Sequence, residues 1–241
     1  MLFKEVNRLF ENVSILIPFQ SDNGQRDIIF KWLIQYYKAS MPGAELCIHV
    51  SKDKLFNKSK NINLAAKKAT RGIFVIADAD MIIRPALIIY SIRLLEQHPW
   101  IIPFQRIQYL SKYTSNKLLK TDPKWPLSIE DKSKYYILKK YGPNEISGGI
   151  NILSRTNFKK VGGFDERFAG WGGEDDAFCY AVNTLCGKLK RLNQEIYHIW
   201  HPRIGWERSP KANDNRRLLR KYKLSNGNKK KMRLLINSRS L

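Results

Sequence analysis

Residues 147–178, SGGINILSRTNFKKVGGFDERFAGWGGEDDAF, concentrate seven glycines and three consecutive acids in one short passage. Glycine costs backbone entropy unless the chain needs an unusual dihedral or a close approach. Glu174, Asp175 and Asp176 repel one another unless cations, hydrogen bonds or solvent offset the charge. The passage therefore reads either as a glycine-rich turn feeding a helix whose acidic first turn suits the helix dipole, or as the lining of a site.

A second short stretch bears on that choice. Ile73 to Ala77 is five apolar residues, the length of a buried strand, and it stops at Asp78-Ala79-Asp80. Ligands gather at the carboxyl ends of strands in open α/β sheets, and carboxylates at i and i+2 can face one divalent cation.

The preceding chain gives the frame. Val13 to Ile17, closed by Pro18, reads as a first strand, and Gln25 to Lys38 carries apolar residues at helical spacing. Ala44 to Val50 reads as a strand, Asn61 to Thr70 as a helix, and Ile73 to Ala77 as a third strand. This β-α-β-α-β alternation implies a parallel sheet with right-handed crossovers. A helix is expected from Pro85 to about Gln97, a strand over Trp100 to Phe104, a strand at Ile150 to Leu153, a helix from Asp175 to Cys186, and a last strand from Glu195 to Trp200. Residues 105–145 lack a clean period and carry Pro123, Pro126 and Pro143, so they read as a partly helical, mobile insertion beside the site.

The size of 241 residues suits one well-buried domain with a small appendage. The expected division is a domain over 1–205 and a basic tail over 206–241. Lys188 to Leu241 holds 16 Lys and Arg against Glu195, Glu207 and Asp214. Asn213 to Lys223 reads as a basic helix and the last fifteen residues as poorly ordered. No apolar run approaches the roughly 20 residues of a membrane span. Cys47, Cys179 and Cys186 cannot all pair and form no Cys-x-x-Cys, so they read as reduced thiols in a cytoplasmic protein. Overall, 43 Lys and Arg stand against 21 Asp and Glu, a net charge of +22. That excess points to nucleic acid, an anionic membrane surface or a polyanionic glycan as partner, or to a lysine-rich composition.

IPF (17–19), FNKSKNIN (56–63), DAD (78–80), SGG (147–149), VGGFDERFAGWGGEDDAF (161–178) and YHIWH (197–201) occur in an order that resembles GT-A glycosyltransferases of the β-1,4-galactosyltransferase and family 2 type. The likeness spans roughly residues 13–201. It implies a GT-A fold, an α/β Rossmann-like architecture with a mixed central sheet flanked by helices, here with a basic C-terminal extension. It also implies an enzyme that moves a sugar from a UDP-sugar to an acceptor hydroxyl with the help of Mn2+ or Mg2+.

On the resemblance, Asp80 and His198 are the metal ligands, Asp78 touches the metal through water or the ribose, and His201 lies near the diphosphate as the alternative ligand. Carboxylate oxygens suit Mg or Mn, and an imidazole tips the choice to Mn. In YHIWH the histidines are three apart, so on a strand they face opposite sides and only one enters the site. Inverting transfer needs a base, assigned to Asp175, with Glu174 and Asp176 orienting acceptor hydroxyls. Trp171 offers a stacking face to donor and acceptor sugars and desolvates the base, and Gly148-Gly149 lets the backbone approach the donor. Pro18, Phe19 and Phe56 match the family's uracil and ribose contacts; Gln20 and Lys58 stand where relatives carry arginine. The charge makes the acceptor a polyanion, nucleic acid such as modified viral DNA (in the host cytoplasm) or a bacterial cell-surface glycan. The alternative is a basic binding module that keeps only the shell.

Overall fold

The structure, a computed structural model, describes residues 8–129, 135–142, 145–170, 172–202 and 209–240. The first strand, β1 (Val13–Phe19), is buried along its whole length because it lies inside a six-stranded sheet. Its neighbours are β2 (Glu45–Val50) and β3 (Ile73–Ala77), both parallel to it. The crossovers are α1 (Gln25–Ser40) and α2 (Lys58–Lys68). Asn57 caps α2 by accepting from the Lys60 amide. In α1, Trp32, Leu33, Tyr36 and Tyr37 bury the inner face, whereas Ile28, counted by its spacing with that face, is exposed.

Beyond β3 the sheet becomes mixed. β4 (Met81–Ile82) leaves for a second sheet, and α3 (Pro85–Leu94) opens on Pro85, whose missing amide costs nothing at a helix start. β5 (Trp100–Ile102) and β8 (Ile150–Ser154) return, β8 inserting antiparallel between β3 and β5. The order is β2-β1-β3-β8-β5-β9, with β9 (Lys190–Arg191) at the edge.

Residues 105–145, expected to be a partly helical, mobile insertion, carry strands as well as a helix among the described residues. β6 (Arg106–Leu110) and β7 (Tyr135–Lys140) form an antiparallel ladder. They join β10 (Glu195–His198) and β4 in a four-stranded sheet ordered β4-β10-β6-β7. Between them, α4 (Lys112–Leu118) is capped by Ser111. These strands escape a periodicity reading because β6 alternates only imperfectly and its partners lie far along the chain.

The C-terminal segment is folded as well. α5 (Arg155–Lys160) and α6 (Glu174–Leu185) are followed by α7 (Ala212–Ser225) and α8 (Lys229–Asn237), where disorder was expected for the last stretch. Tyr222 and Met232 are fully buried anchors. Arg239 donates to the carbonyls of Val161, Gly162 and Gly163, each at 3.1 Å. Tyr222 donates to Asp165 at 2.7 Å. These two buried side chains and the hydrogen bonds around them hold the helical pair on the body. The three cysteines are free, as expected. Among the described residues no helix is long and apolar enough to cross a membrane.

Candidate active site

Asp78, Ala79 and Asp80 turn away from β3 at its carboxyl end, and the turn is held on both sides. The Asp78 amide donates to the Gly149 carbonyl at 2.9 Å, so β8 fixes where the turn begins. Tyr36 and Tyr37 of α1 donate to the carbonyls of Ile83 and Met81 at 2.8 and 3.2 Å, fixing where it ends. The Asp80 carbonyl accepts from the Ile199 amide at 2.9 Å, which brings the end of β10 against it.

That last bond explains the histidines. His198 Nε2 is 3.8 Å from Asp80 Oδ1 and His201 Nε2 is 3.0 Å from Asp80 Oδ2. Both imidazoles therefore face one carboxylate, correcting the expectation that only one enters. β10 ends at His198, so strand alternation no longer governs His201. Asp80, His198 and His201 form a cluster with all ligand atoms within 4.8 Å. His201 Nδ1 lies 2.8 Å from the Pro202 carbonyl, which orients the ring so that Nε2 faces Asp80. A ring nitrogen pinned by a backbone carbonyl is the usual outer support of a metal-ligating histidine. One carboxylate with two imidazoles thus fits a divalent ion such as Mn2+. Burial works against the charge of Asp80, but His198, His201 and Arg26 outweigh it and hold the carboxyl well below its ordinary range.

Arg26, in the first turn of α1, was not singled out from sequence; its guanidinium reaches within 3.4 Å of His201 Nδ1. The only signal for it is its place just after the first strand, where a helix start meets the ligand side of the sheet.

Asp78 does not join the metal cluster. Its Oδ1 is 2.7 Å from Lys58 Nζ, and the same Nζ is 3.0 and 2.9 Å from the two oxygens of Asp175. Lys58, expected to face the donor, instead bridges the two acidic motifs. Burial opposes its charge, but Asp175 and Asp78 outweigh that and hold the ammonium well above its ordinary value. For Asp78 burial is the larger effect and raises its carboxyl to about 6 against the pull of Lys58.

The acidic passage is the start of α6: Glu174, Asp175 and Asp176 fill the helix's first turn, and Asp175 meets the Asp78 turn through Lys58. Its entry, Gly173, has φ +94°, the left-handed region that favours glycine. Glu174 is buried, accepts from the Gly172 amide at 3.1 Å, and is pushed up to about 7 by burial and then by Asp175. Asp176 is raised to about 6, chiefly by burial. Trp171 lies outside the described residues.

The loop before α6 is stitched down by α2. Asn63 exchanges two bonds with the Phe164 backbone, each 2.9 Å, and Asn57 donates to the Glu166 carbonyl at 2.7 Å. The Gly170 amide donates to the Phe56 carbonyl at 2.9 Å. Gly148 has a different task from the expected one: a Cβ there would come within 2.1 Å of Asp175 Oδ2, so the missing side chain makes room for that carboxylate. Gly149 has φ +104° and supplies the carbonyl that anchors Asp78. Arg191 donates to Ser147 Oγ at 3.0 Å and holds this loop from the sheet edge.

On the nucleotide side, Phe56 and Gln20 are half-buried, and Gln20 donates to the Asp53 carbonyl at 2.6 Å. Pro18 is buried within β1. Phe19 is only 6 % exposed and stacks on Phe30 with centroids 3.8 Å apart, so its ring is core and only its backbone faces the mouth.

A family model described as the N-terminal domain of galactosyltransferase matches residues 132–203. Human β-1,4-galactosyltransferase 4 is 25 % identical over 198 residues, 78 % of this chain and 47 % of its own length. Pig β-1,4-galactosyltransferase 5 is 49 % identical over 72 residues, 27 % of this chain and 18 % of its own. The chain spans about half the length, or less, of the curated relatives it matches. Among solved structures, GalNAc-T7 with UDP, GalNAc and Mn2+ superimposes with a TM-score of 0.52 at 12 % identity, covering 95 % of this chain and 54 % of that one. The chain is thus similar in sequence to β-1,4-galactosyltransferases and has the GT-A fold.

Proposed function

We propose that the protein transfers a sugar from a UDP-sugar to a hydroxyl of a glycan acceptor, with inversion and with Mn2+ bound by Asp80, His198 and His201. The observation that carries this reading is the meeting of two acidic motifs across Lys58: one ammonium holds the turn after β3 against the start of α6. The names of the curated relatives support it, since they are galactosyltransferases.

The divalent ion, when bound, neutralises the diphosphate and the charge that grows on the leaving oxygen. Arg26, beside His201, adds a cation on the same side. Asp175 faces the acceptor and takes the hydroxyl proton as the acceptor oxygen bonds the anomeric carbon and the bond to the phosphate oxygen breaks, releasing UDP. A carboxylate retains acceptor lone pairs beyond those that Lys58 engages. Glu174 and Asp176, both raised toward neutrality, can donate as well as accept hydrogen bonds and so hold sugar hydroxyls. Phe56 would meet the base and Gln20 the ribose.

The net charge alone pointed to a polyanion such as DNA. The acceptor side argues for a glycan instead, because carboxyl groups pair well with sugar hydroxyls whether ionised or protonated, whereas an ionised one is repelled by a phosphate backbone. The test is UDP release from a panel of UDP-sugars with Mn2+, with and without mono- and disaccharide acceptors. Asp80→Asn should lose Mn2+ binding and release together, and Asp175→Asn should lose transfer by about 10²–10⁴-fold while still binding UDP with Mn2+. A fully active Asp175→Asn enzyme would remove the base, and no release from any UDP-sugar would remove the reading.

A further inference from the structure

The charge of the chain is concentrated where the candidate site does not use it. From residue 212 to 237, α7 and α8 contain a single acid, Asp214. The two helices also repeat a five-residue pattern: Arg220-Lys221-Tyr222-Lys223-Leu224 and Lys230-Lys231-Met232-Arg233-Leu234. Each run has two cations, a buried anchor, a third cation and a leucine. Tyr222 and Met232 are the anchors, both fully buried.

At 100° per residue, a side chain two positions past the anchor points away from the body. Leu224 and Leu234 are accordingly 70 % and 62 % exposed, the most exposed large hydrophobics among the described residues. The residues three and four before each leucine share its outer face, and these are Arg220 and Lys221 in α7 and Lys230 and Lys231 in α8. A single exposed leucine needs no explanation. Two, set in the same ring of cations on adjoining helices, call for a partner that is apolar and anionic at once.

We propose that α7 and α8 form a docking surface for an anionic lipid bilayer, with Leu224 and Leu234 entering the headgroup boundary and the surrounding lysines and arginines meeting lipid phosphates. Charge complementarity selects an anionic partner, and the leucines select lipid among anionic partners. A hydrated polymer such as nucleic acid or a sulfated glycan engages the cations but gives a leucine nothing to enter, whereas an interfacial helix gains from both. The surface is coupled to the fold: Asn215 of α7 donates to the Ala169 carbonyl at 3.1 Å, and Leu219 packs against Gly173. A bilayer on the outer face of α7 therefore lies one helix thickness, about 10 Å, from the acidic loop.

The test is co-sedimentation of the full chain with phosphatidylcholine vesicles with and without phosphatidylglycerol, at low and physiological salt. The wild type should bind only the vesicles with phosphatidylglycerol, and more weakly as salt rises. Leu224→Ser with Leu234→Ser should weaken vesicle binding by about 100-fold, roughly tenfold per leucine, while leaving UDP release from a UDP-sugar with a soluble acceptor unchanged. Lys230→Glu with Lys231→Glu should weaken it too. Equal binding to both vesicle types, no binding to either, vesicle binding unchanged in the leucine variant, or displacement from vesicles by duplex DNA or heparin with the leucine variant binding those polymers as well as wild type, would each overturn the proposal.

Discussion

Lys58 and Asp175 lie 117 residues apart and meet with Nζ 2.9 Å from Oδ2, while the same ammonium holds Asp78 at 2.7 Å. One cation thus joins the second crossover helix, the turn after β3 and the start of α6. Removing it leaves two partly buried carboxylates facing each other. A fully buried pair would cost about 3–5 kcal/mol when broken. Asp78 and Asp175 retain 27 % and 21 % exposure of their side chains, so Lys58→Ala should cost roughly 2 kcal/mol in urea unfolding. Asp78→Asn added to that variant should recover part of the loss, and additivity of the two would show that they do not interact.

Gly148→Ala should separate the base from the metal. The new Cβ would come within 2.1 Å of Asp175 Oδ2, so the carboxylate must move. Displacement of about 1 Å in a reacting group costs on the order of 10²-fold in rate. Mn2+ affinity, measured by titration calorimetry, should stay at the wild-type value because Asp80, His198 and His201 are not touched.

Glu174 gives a signed pH dependence. Its carboxyl rises from 4.5 to about 7 on folding, so the folded chain holds this proton more tightly than the unfolded one. The associated stability is full below about pH 4.5 and is lost as pH rises through about 7. Glu174→Gln, which keeps an acceptor for the Gly172 amide, removes that loss. In metal-free buffer the variant and wild type should unfold alike near pH 4.5, with the variant pulling ahead by up to roughly 3 kcal/mol near pH 8. Equal stability across the range would contradict the assignment.

Tyr222→Ala distinguishes a structural C-terminal helix from an appended tail. Tyr222 is fully buried, bonded to Asp165, and itself accepts from Arg239 at 2.7 Å. Truncation should cost about 3–5 kcal/mol by chemical denaturation and expose the 165–167 loop to protease. A loss below about 1 kcal/mol would return α7 to the status of a tail.

The first three strands and the start of α3 were legible because each is a short apolar run or a Pro start bounded by breakers, which is local information. The acidic helix was legible for the same reason. The ladder of β6 with β7 was not, since its partners are supplied by distant residues such as Lys139 opposite Ile107. Met232 and Tyr222 escaped notice because each sits between two cations, Lys221 and Lys223 or Lys231 and Arg233. The bridging role of Lys58 and the entry of His201 both depend on contacts across more than a hundred residues, which no spacing rule encodes.

The antiparallel pairing of β3 with β8, Ala77 opposite Ile150, has a consequence for how the chain tolerates change. Asp78 follows one strand and Gly148 and Gly149 precede the other, so a single ladder sets both the Asp78 turn and the backbone that leaves room for Asp175. Sliding that ladder by one rung would turn every inward side chain outward and misplace Asp78 together with the space left for Asp175. Insertions or deletions inside either strand should therefore inactivate the protein long before they unfold it, whereas length changes in the surface loops can be absorbed.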